Sequence, residues 1–364
     1  MRTGWGLTKA STLNRQEARR RDMMRALRLT VLLPALVAVV NVHRASAQLV
    51  ETVPVGHVGN GGDSRFMNAG GPTIGSVNYE YRISKFEVTA RQYTAFLNAV
   101  AADDPHGLYN PSMGSTTGVT SGANIQRSGQ PGSYTYSVPE DWADRPVNYV
   151  SWGDAARFAN WLQNGQPTGP QNLSTTEDGA YYLNGAMTIP ELMAITRRPT
   201  AAGAIPTESE WYKAAYHKND GLAGNYWNYP TASNNIPSNL LYNPDPGNNA
   251  TYSNLGMTIG SPYYRTIVGS HENSESSYGT YDQGGNVWEW NETAFPTFNR
   301  GIRGGSYLSI NSDLYAALRN WARPTTESHF IGFRLVGIPE PSTAGLLIAV
   351  AVFTRRRRCP PARI

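Results

Sequence analysis

The sequence predicts an α+β fold with few helices, short strands and much irregular chain, and three observations carry that expectation. Three stretches place a Thr or Ser three residues before a Gln, Asp or Glu, the reciprocal pattern that starts a helix: Thr89/Gln92, Ser151/Asp154 and Thr207/Glu210. Short aromatic-rich runs of strand character lie between and after them, above all Val287–Trp290. The intervening chain is rich in Gly, Asn, Ser and Pro, and the totals of 36 Gly and 24 Pro in 364 residues argue against a helical bundle.

Taken in order, residues 48–80 form a Gly- and Asn-rich lead, and Tyr79–Val88 then alternates apolar with charged residues, as a half-buried strand does. Thr89 opens a helix in which Tyr93, Phe96, Leu97 and Val100 fall on one face. Residues 101–140 lack periodicity and read as an elaborated surface loop. Arg145–Val150 reads as a short strand, and Ser151 starts a second helix with Ala155, Phe158, Ala159 and Leu162 inward and Gly165 as its stop. Thr207 starts a third, short helix with Trp211, Ala214 and Ala215 inward; His217 at its end suits a residue that favours a helix C-terminus. Residues 218–280 show neither period. In YDQGGNVWEW, residues 281–290, the Gly284-Gly285 pair can take positive φ, so the stretch reads as turn then strand. Alternation puts Trp288 and Trp290 on one face, Val287 and Glu289 on the other. No linker or repeat divides the core, so residues 48–336 read as one domain.

The net charge of +4 belongs to the ends of the chain. Residues 48–341 carry 17 Lys/Arg against 25 Asp/Glu, a net of −8, which argues against a nucleic-acid partner. Residues 1–47 read as a signal peptide: Arg25 and Arg28 precede the apolar run Leu29–Val42, and Ala45-Ser46-Ala47 fits a cleavage site. Met23 or Met24 would give a more usual start. Residues 337–364 hold Pro339-Glu340-Pro341, a short apolar run Ala344–Phe353 and the cluster Arg355–Arg358. The apolar run is well short of the roughly 20 residues that span a bilayer. These three parts resemble a PEP-CTERM sorting tag. That resemblance implies export, transient membrane association, processing by an exosortase-type enzyme, and a destination in the bacterial envelope, at the cell surface or in the extracellular matrix. Cys359, the single cysteine, lies inside this segment, so residues 48–336 offer no disulfide and no thiol nucleophile.

Several phrases recur in order along residues 53–336: YEYRISKFEVTARQYTAFLN, PVNYVSWGDAARFANWL, PTESEWYKAAYH, YDQGGNVWEW, RGGSY (303–307) and Gly332-Phe333-Arg334. Together they resemble the sulfatase-modifying-factor family, which includes the formylglycine-generating enzymes. The resemblance implies a variant of the C-type-lectin-like fold with short, twisted antiparallel strands. It also implies a copper-dependent oxidation at two cysteines, C-x4-C, just after RGGSY. Here Ser309 and Leu314 occupy those positions, and neither a hydroxyl nor an isobutyl group can hold Cu(I). Copper and formylglycine generation are therefore not expected. A second branch of the family uses an iron site of three His; His57, His106, His217, His271 and His329 show no pairing at helical or hairpin spacing.

The resemblance further implies a calcium site at the turn before the WEW strand, carried over to Asp282, the carbonyls of Gly285 and Val287, and Glu289. The residues themselves allow another arrangement, in which Asp282 caps the turn and Glu289 pairs with a buried Arg such as Arg303 or Arg334. Trp288, Trp290, Tyr307 and Phe333 suit a core, and Arg303, Arg319 and Arg334 suit either braces for it or a lining for the groove. In the family the cleft opens beside RGGSY, so Ser306, Ser309, Asn320 and Trp321 would border it, a lining fit for an extended peptide or a glycan. No G-x-S-x-G, H-E-x-x-H, P-loop or G-x-G-x-x-G motif is present. The expected function is non-catalytic binding of a ligand or partner, or a structural role in the envelope. A metal-dependent enzyme using the same cleft and a carbohydrate-binding module are the alternatives.

Overall fold

A computed structural model describes residues 50–65 and 73–337, all within one compact unit that begins at Val50. The expected signal peptide, and all but Gly337 of the expected sorting tag, lie outside the described residues. Among these residues no helix is long and apolar enough to cross a membrane.

All three predicted capping boxes form. Thr89 caps α1 (Ala90–Val100), and its hydroxyl and the Gln92 side chain satisfy each other's backbone N–H. The N-terminal strands β1 (Thr52–Val55) and β2 (Tyr81–Ser84) precede it. After α1 the 101–140 segment is not bare loop: it contains the hairpin β3 (Gln126–Ser128) and β4 (Thr135–Ser137), then the one-turn helix α2 (Glu140–Ala143). Arg145–Val150 is not a strand. Pro146 has no N–H to give a ladder, and the segment makes only an isolated bridge, Thr89 to Pro146.

Ser151 and Asp154 box the start of α3 (Trp152–Gln163), which ends before Gly165 at φ +80°. A fourth box, Thr188 with Glu191, starts α4 (Ile189–Ala194) and escaped the sequence reading. After β5 (Gly203–Ala204), Thr207 and Glu210 box α5 (Glu208–Tyr216), which is buried on every side. Residues 218–280 contain neither helix nor strand. They are held by isolated bridges and by side chains such as Asn239, whose amide reaches the carbonyls of Tyr252, Asn254 and Gly256.

Two four-stranded sheets organise the remainder. The first runs β1-β2-β10-β5, all antiparallel, with β10 (Val336–Gly337) closing the chain onto β2. The second runs β8-β7-β6-β9, built from β6 (Trp288–Phe295), β7 (Asn299–Arg303), β8 (Asn320–Ala322) and β9 (Ile331–Gly332). Here β6 and β9 pair in parallel, a departure from the all-antiparallel expectation. Strands this short and this far apart in sequence leave no mark of their direction. Between α1 and α3 sits an aromatic cluster, with Phe158 edge-on to both Phe96 and Phe333, their centroids 5.3 and 5.4 Å away. Such pairs add about 0.5–1.5 kcal/mol each beyond area burial.

The two sheets are tied by one buried ion pair. Arg334, fully buried, sends Nε and Nη2 to the two oxygens of Glu289 at 2.6 and 2.7 Å, while Trp211 Nε1 donates to Oε2 at 2.6 Å. The same guanidinium donates to the carbonyls of Ser84 and Tyr281 at 2.9 and 2.8 Å. Leaving one partner buried alone costs about 3–5 kcal/mol, so Arg334→Met is expected to lower stability by that order in urea denaturation. Replacing Glu289 with Leu as well should recover part of the loss. Equal stability of the single variant and the parent would remove this pair from the foundations of the fold.

Candidate functional site

The RGGSY turn is packed shut. Gly304 and Gly305 both take positive φ, which turns the chain out of β7. Ser306 N donates to Ser309 Oγ at 3.0 Å, and the two hydroxyl oxygens lie 3.5 Å apart; Ser306 is 1% and Ser309 6% exposed. Leu314 is fully buried in a small core with Tyr229, Ala250 and Tyr252. Asn320 and Trp321 stand on β8, the edge strand, where Trp321 is half exposed and leans on Phe295 at 5.5 Å. Of the four expected cleft residues, Ser306 and Ser309 are brought together but face inward, and Asn320 and Trp321 occupy the outer edge of a sheet.

Arg303 and Arg319 act as braces, both on Glu208. His217 caps α5 but does not serve as a cation there: burial lowers its pKa, and its ring nitrogens meet Tyr278 Oη and the Ala223 carbonyl at 2.8 and 3.0 Å.

At the expected calcium turn, Gly285 sits at φ +90°, and a Cβ there would strike the Thr251 carbonyl. Asp282 also takes positive φ, and its Oδ2 accepts from Gly269 N at 2.6 Å. Glu289 is engaged differently: both its oxygens are taken by Arg334 and Trp211, so of the set Asp282, Gly285, Val287 and Glu289 it serves the core ion pair. An unforeseen acid lies beside it. Glu87 is 2% exposed, neither carboxyl oxygen has a hydrogen-bond partner, and burial followed by the charges of Asp282 and Glu289 raises its pKa well above the carboxylate range. Among the described residues no group of three or more His, Cys, Asp or Glu side chains is arranged to hold a metal ion.

The structure opens a cavity elsewhere, of about 250 Å³, at the N-terminus of α3. Its wall includes His106, Asp154, Arg157, Leu192, Met187 and Glu327. Asp154 reaches it because the capping box turns the side chain back: Oδ2 accepts from Ser151 N and Oγ at 2.9 and 2.6 Å. Three residues on, one helical turn away, Arg157 is neutralised by Glu177 at 2.7 and 3.0 Å. Leu192 comes from α4, whose end is held by Arg300 through the carbonyls of Leu192 and Ile195, both at 2.7 Å. Glu327 comes from the loop between β8 and β9, fixed by Asn110 Nδ2 at 2.6 Å.

Asp154 and Glu327 line the same cavity, and their carboxyl groups interact across it. Burial, followed by the charge of Asp154, pushes Glu327 up to about 8; burial, opposed by Ser151 and Arg157, pushes Asp154 up to about 6. Two carboxyls this close hold one proton between them near neutral pH, which gives the wall an acid and a base side by side. Sequence reasoning placed Asp154 only as a cap. Glu327 lies in a loop with no period and no motif, so nothing in the spacing joins it to Asp154.

The folded pair keeps a proton that the unfolded chain has lost, because both carboxyls titrate higher when folded. The stability it contributes is present in acid and is lost as pH rises through the window from about 4 to about 8. Urea midpoints measured from pH 5 to pH 8 are expected to fall less steeply for Glu327→Gln than for the parent. Parallel slopes would separate Glu327 from that loss.

The chain belongs to the sulfatase-modifying factor enzyme 1-like domain family, whose profile matches residues 40–338. It is 29% identical over 212 residues to a hercynine oxygenase of Mycobacterium tuberculosis, covering 53% of this chain and 37% of that protein. The chain thus spans little more than a third of the length of that relative. Among solved structures, CarF is 23% identical with a TM-score of 0.43, covering 80% of this chain and 99% of its own. Treponema denticola variable protein 1 is 20% identical with a TM-score of 0.46, covering 79% and 95% respectively.

Proposed function

We propose that this member of the sulfatase-modifying factor family is a ligand-binding protein of the bacterial envelope that has given up the family's thiol-based oxidation. One observation carries the reading. The two positions that follow RGGSY hold Ser309, closed into a turn, and Leu314, buried in a core, and the only cysteine is Cys359. Thiolate is what Cu(I) needs, and no side chain between residues 48 and 336 can supply it. The binding site in this reading is the cavity at Asp154 and Glu327, with the sheet edge at Asn320 and Trp321 as a further contact surface for a peptide or glycan. Export through residues 1–47, processing through residues 337–364 by an exosortase-type enzyme, and a C-type-lectin-like architecture belong to the same proposal. Incubated with copper, oxygen and a cysteine-bearing sulfatase peptide, the protein is expected to yield no aldehyde by mass spectrometry. Appearance of formylglycine would overturn the reading.

An enzymatic alternative has one feature in its favour, the paired acid and base at Asp154 and Glu327, and the likeness to a hercynine oxygenase supports it. In that case Glu327→Gln abolishes a turnover while leaving the melting temperature near that of the parent. A carbohydrate-binding module is the other reading, and a glycan array separates it from both.

Calcium fits the turn only in altered form. A hard cation would take Asp282 and the unpartnered carboxyl of Glu87, with the carbonyls of Gly285 and Val287, while Glu289 stays with Arg334. Its chemistry there is structural: it would replace the proton that keeps Glu87 neutral. EDTA is expected to lower the melting temperature, Ca²⁺ to restore it, and Glu87→Gln to erase the difference. An unchanged melting curve in all three would leave Glu87 as a buried neutral acid.

A further inference from the structure

We propose that the cavity is a binding site for a primary ammonium group, seated between Asp154 and Glu327 with its alkyl chain against Met187 and Leu192. The inference rests on the reading of this cavity as a ligand site and names the class of ligand.

Hydrogen bonding limits what the cavity can accept. Asp154 is 3% exposed; its Oδ2 is spent on Ser151, and Oδ1 accepts from no protein N–H among the described residues. Glu327 gives one oxygen to Asn110, which leaves the other free on the cavity wall that it shares with Asp154. The free valences at the centre of the wall are therefore acceptors, and an ammonium is a compact donor of three hydrogen bonds. His106 adds to this bias. Its Nδ1 lies 2.9 Å from Gln171 Oε1, and Gln171 is oriented by its own Nε2, which donates to Asp104 Oδ1 at 2.9 Å. An amide oxygen only accepts, so Nδ1 is the donor in that contact, and the tautomer that satisfies it offers Nε2 as an acceptor.

Charge points the same way. Four carboxyls, Asp104, Asp154, Glu177 and Glu327, face this region against the single guanidinium of Arg157. Arg157 places Nε and Nη2 on Glu177, and Nη2 also on the Ala186 carbonyl at 2.9 Å, so its charge is matched there by Glu177 and only Nη1 is left as a donor. Asp104 is tied to the backbone N–H groups of Leu108 and Tyr109. What remains uncompensated is the Asp154–Glu327 pair, which holds one proton because two adjacent carboxylates repel. An ammonium in that place does what the proton does and adds two further hydrogen bonds. Leu192, buried, and Met187, half exposed at the rim, supply the apolar surface for a short chain. A free aliphatic amine and a lysine side chain of a partner present the same chemistry.

Proton balance makes the proposal measurable. Binding RNH₃⁺ expels the shared proton to solvent, so affinity should rise about tenfold per pH unit below the titration of Glu327 near 8 and level off above it. The probe is n-butylamine, titrated calorimetrically at pH 6, 7 and 8 in phosphate and in MOPS, with n-butanol as control and the tripeptide Gly-Lys-Gly as second arm. The expected result is saturable one-to-one binding with about one proton released at pH 7, and no binding of n-butanol. Stronger binding of the tripeptide assigns the site to a lysine-bearing partner, and stronger binding of butylamine to a free amine. Glu327→Gln is expected to weaken butylamine by tenfold or more and to remove both the pH slope and the difference between buffers. Because the pH and buffer measurements use the unaltered protein, they decide the matter even if the variant does not fold. Failure of butylamine to saturate at millimolar concentration, binding without proton release, or equal binding of n-butanol would overturn the ammonium assignment. A neutral glycan bound by the parent and lost in Glu327→Gln would overturn it while leaving the ligand-site reading intact. A cavity that binds none of these would remove both.

Discussion

The buried pair of Glu289 and Arg334 is the constraint on which the rest of the structure depends. A guanidinium with no access to water must find acceptors for its donors, and here it finds them on three separate pieces of chain: the Glu289 carboxylate of β6, the Ser84 carbonyl at the end of β2 and the Tyr281 carbonyl of the turn. Its position, two residues after β9 and two before β10, makes one short segment serve both sheets. Trp211 adds α5 to the same carboxylate. Charge pairs of this kind contribute less to net stability than to fixing one arrangement, since every alternative packing leaves an ion without partners. The irregular 218–280 segment can therefore carry its many turns against a frame that is already decided.

Much of this frame was legible in the sequence because its signals are local. A capping box needs two side chains three residues apart, and Thr89, Ser151 and Thr207 each announced a helix that the structure contains. Buried faces followed from spacing, as with Tyr93, Phe96, Leu97 and Val100. What stayed open in the sequence has the opposite character. The direction of the two-residue strand β9, the bracing of Arg319 on Glu208 and the selection of Arg334 over Arg303 as partner of Glu289 are all settled between residues far apart in sequence. Arg145–Val150 looked like a strand because its residues favour extended backbone, yet an extended segment becomes a strand only when a neighbour takes up its hydrogen bonds.

The cavity shows why function was harder to read than fold. Asp154 answers fully to the description of a helix cap, and that role accounts for one of its oxygens. Its other oxygen acquires a role only when a loop over 170 residues downstream brings Glu327 beside it. The family resemblance puts Ser306, Ser309, Asn320 and Trp321 at a cleft beside RGGSY, and the structure folds the first two inward while spreading the others along an edge. Proximity to a recognisable motif is a poor guide when the motif's own residues have been absorbed into packing.

That absorption has a consequence at Leu314. Its side chain is fully buried among Tyr229, Ala250 and Tyr252. A mutation to cysteine there would hollow out a settled interior before any second thiol at Ser309 could reward it, and Ser309 is itself a partner of the Ser306 backbone. Each cysteine is thus penalised while it stands alone. Thiolate chemistry at this turn would need both replacements at once, together with a repacked interior.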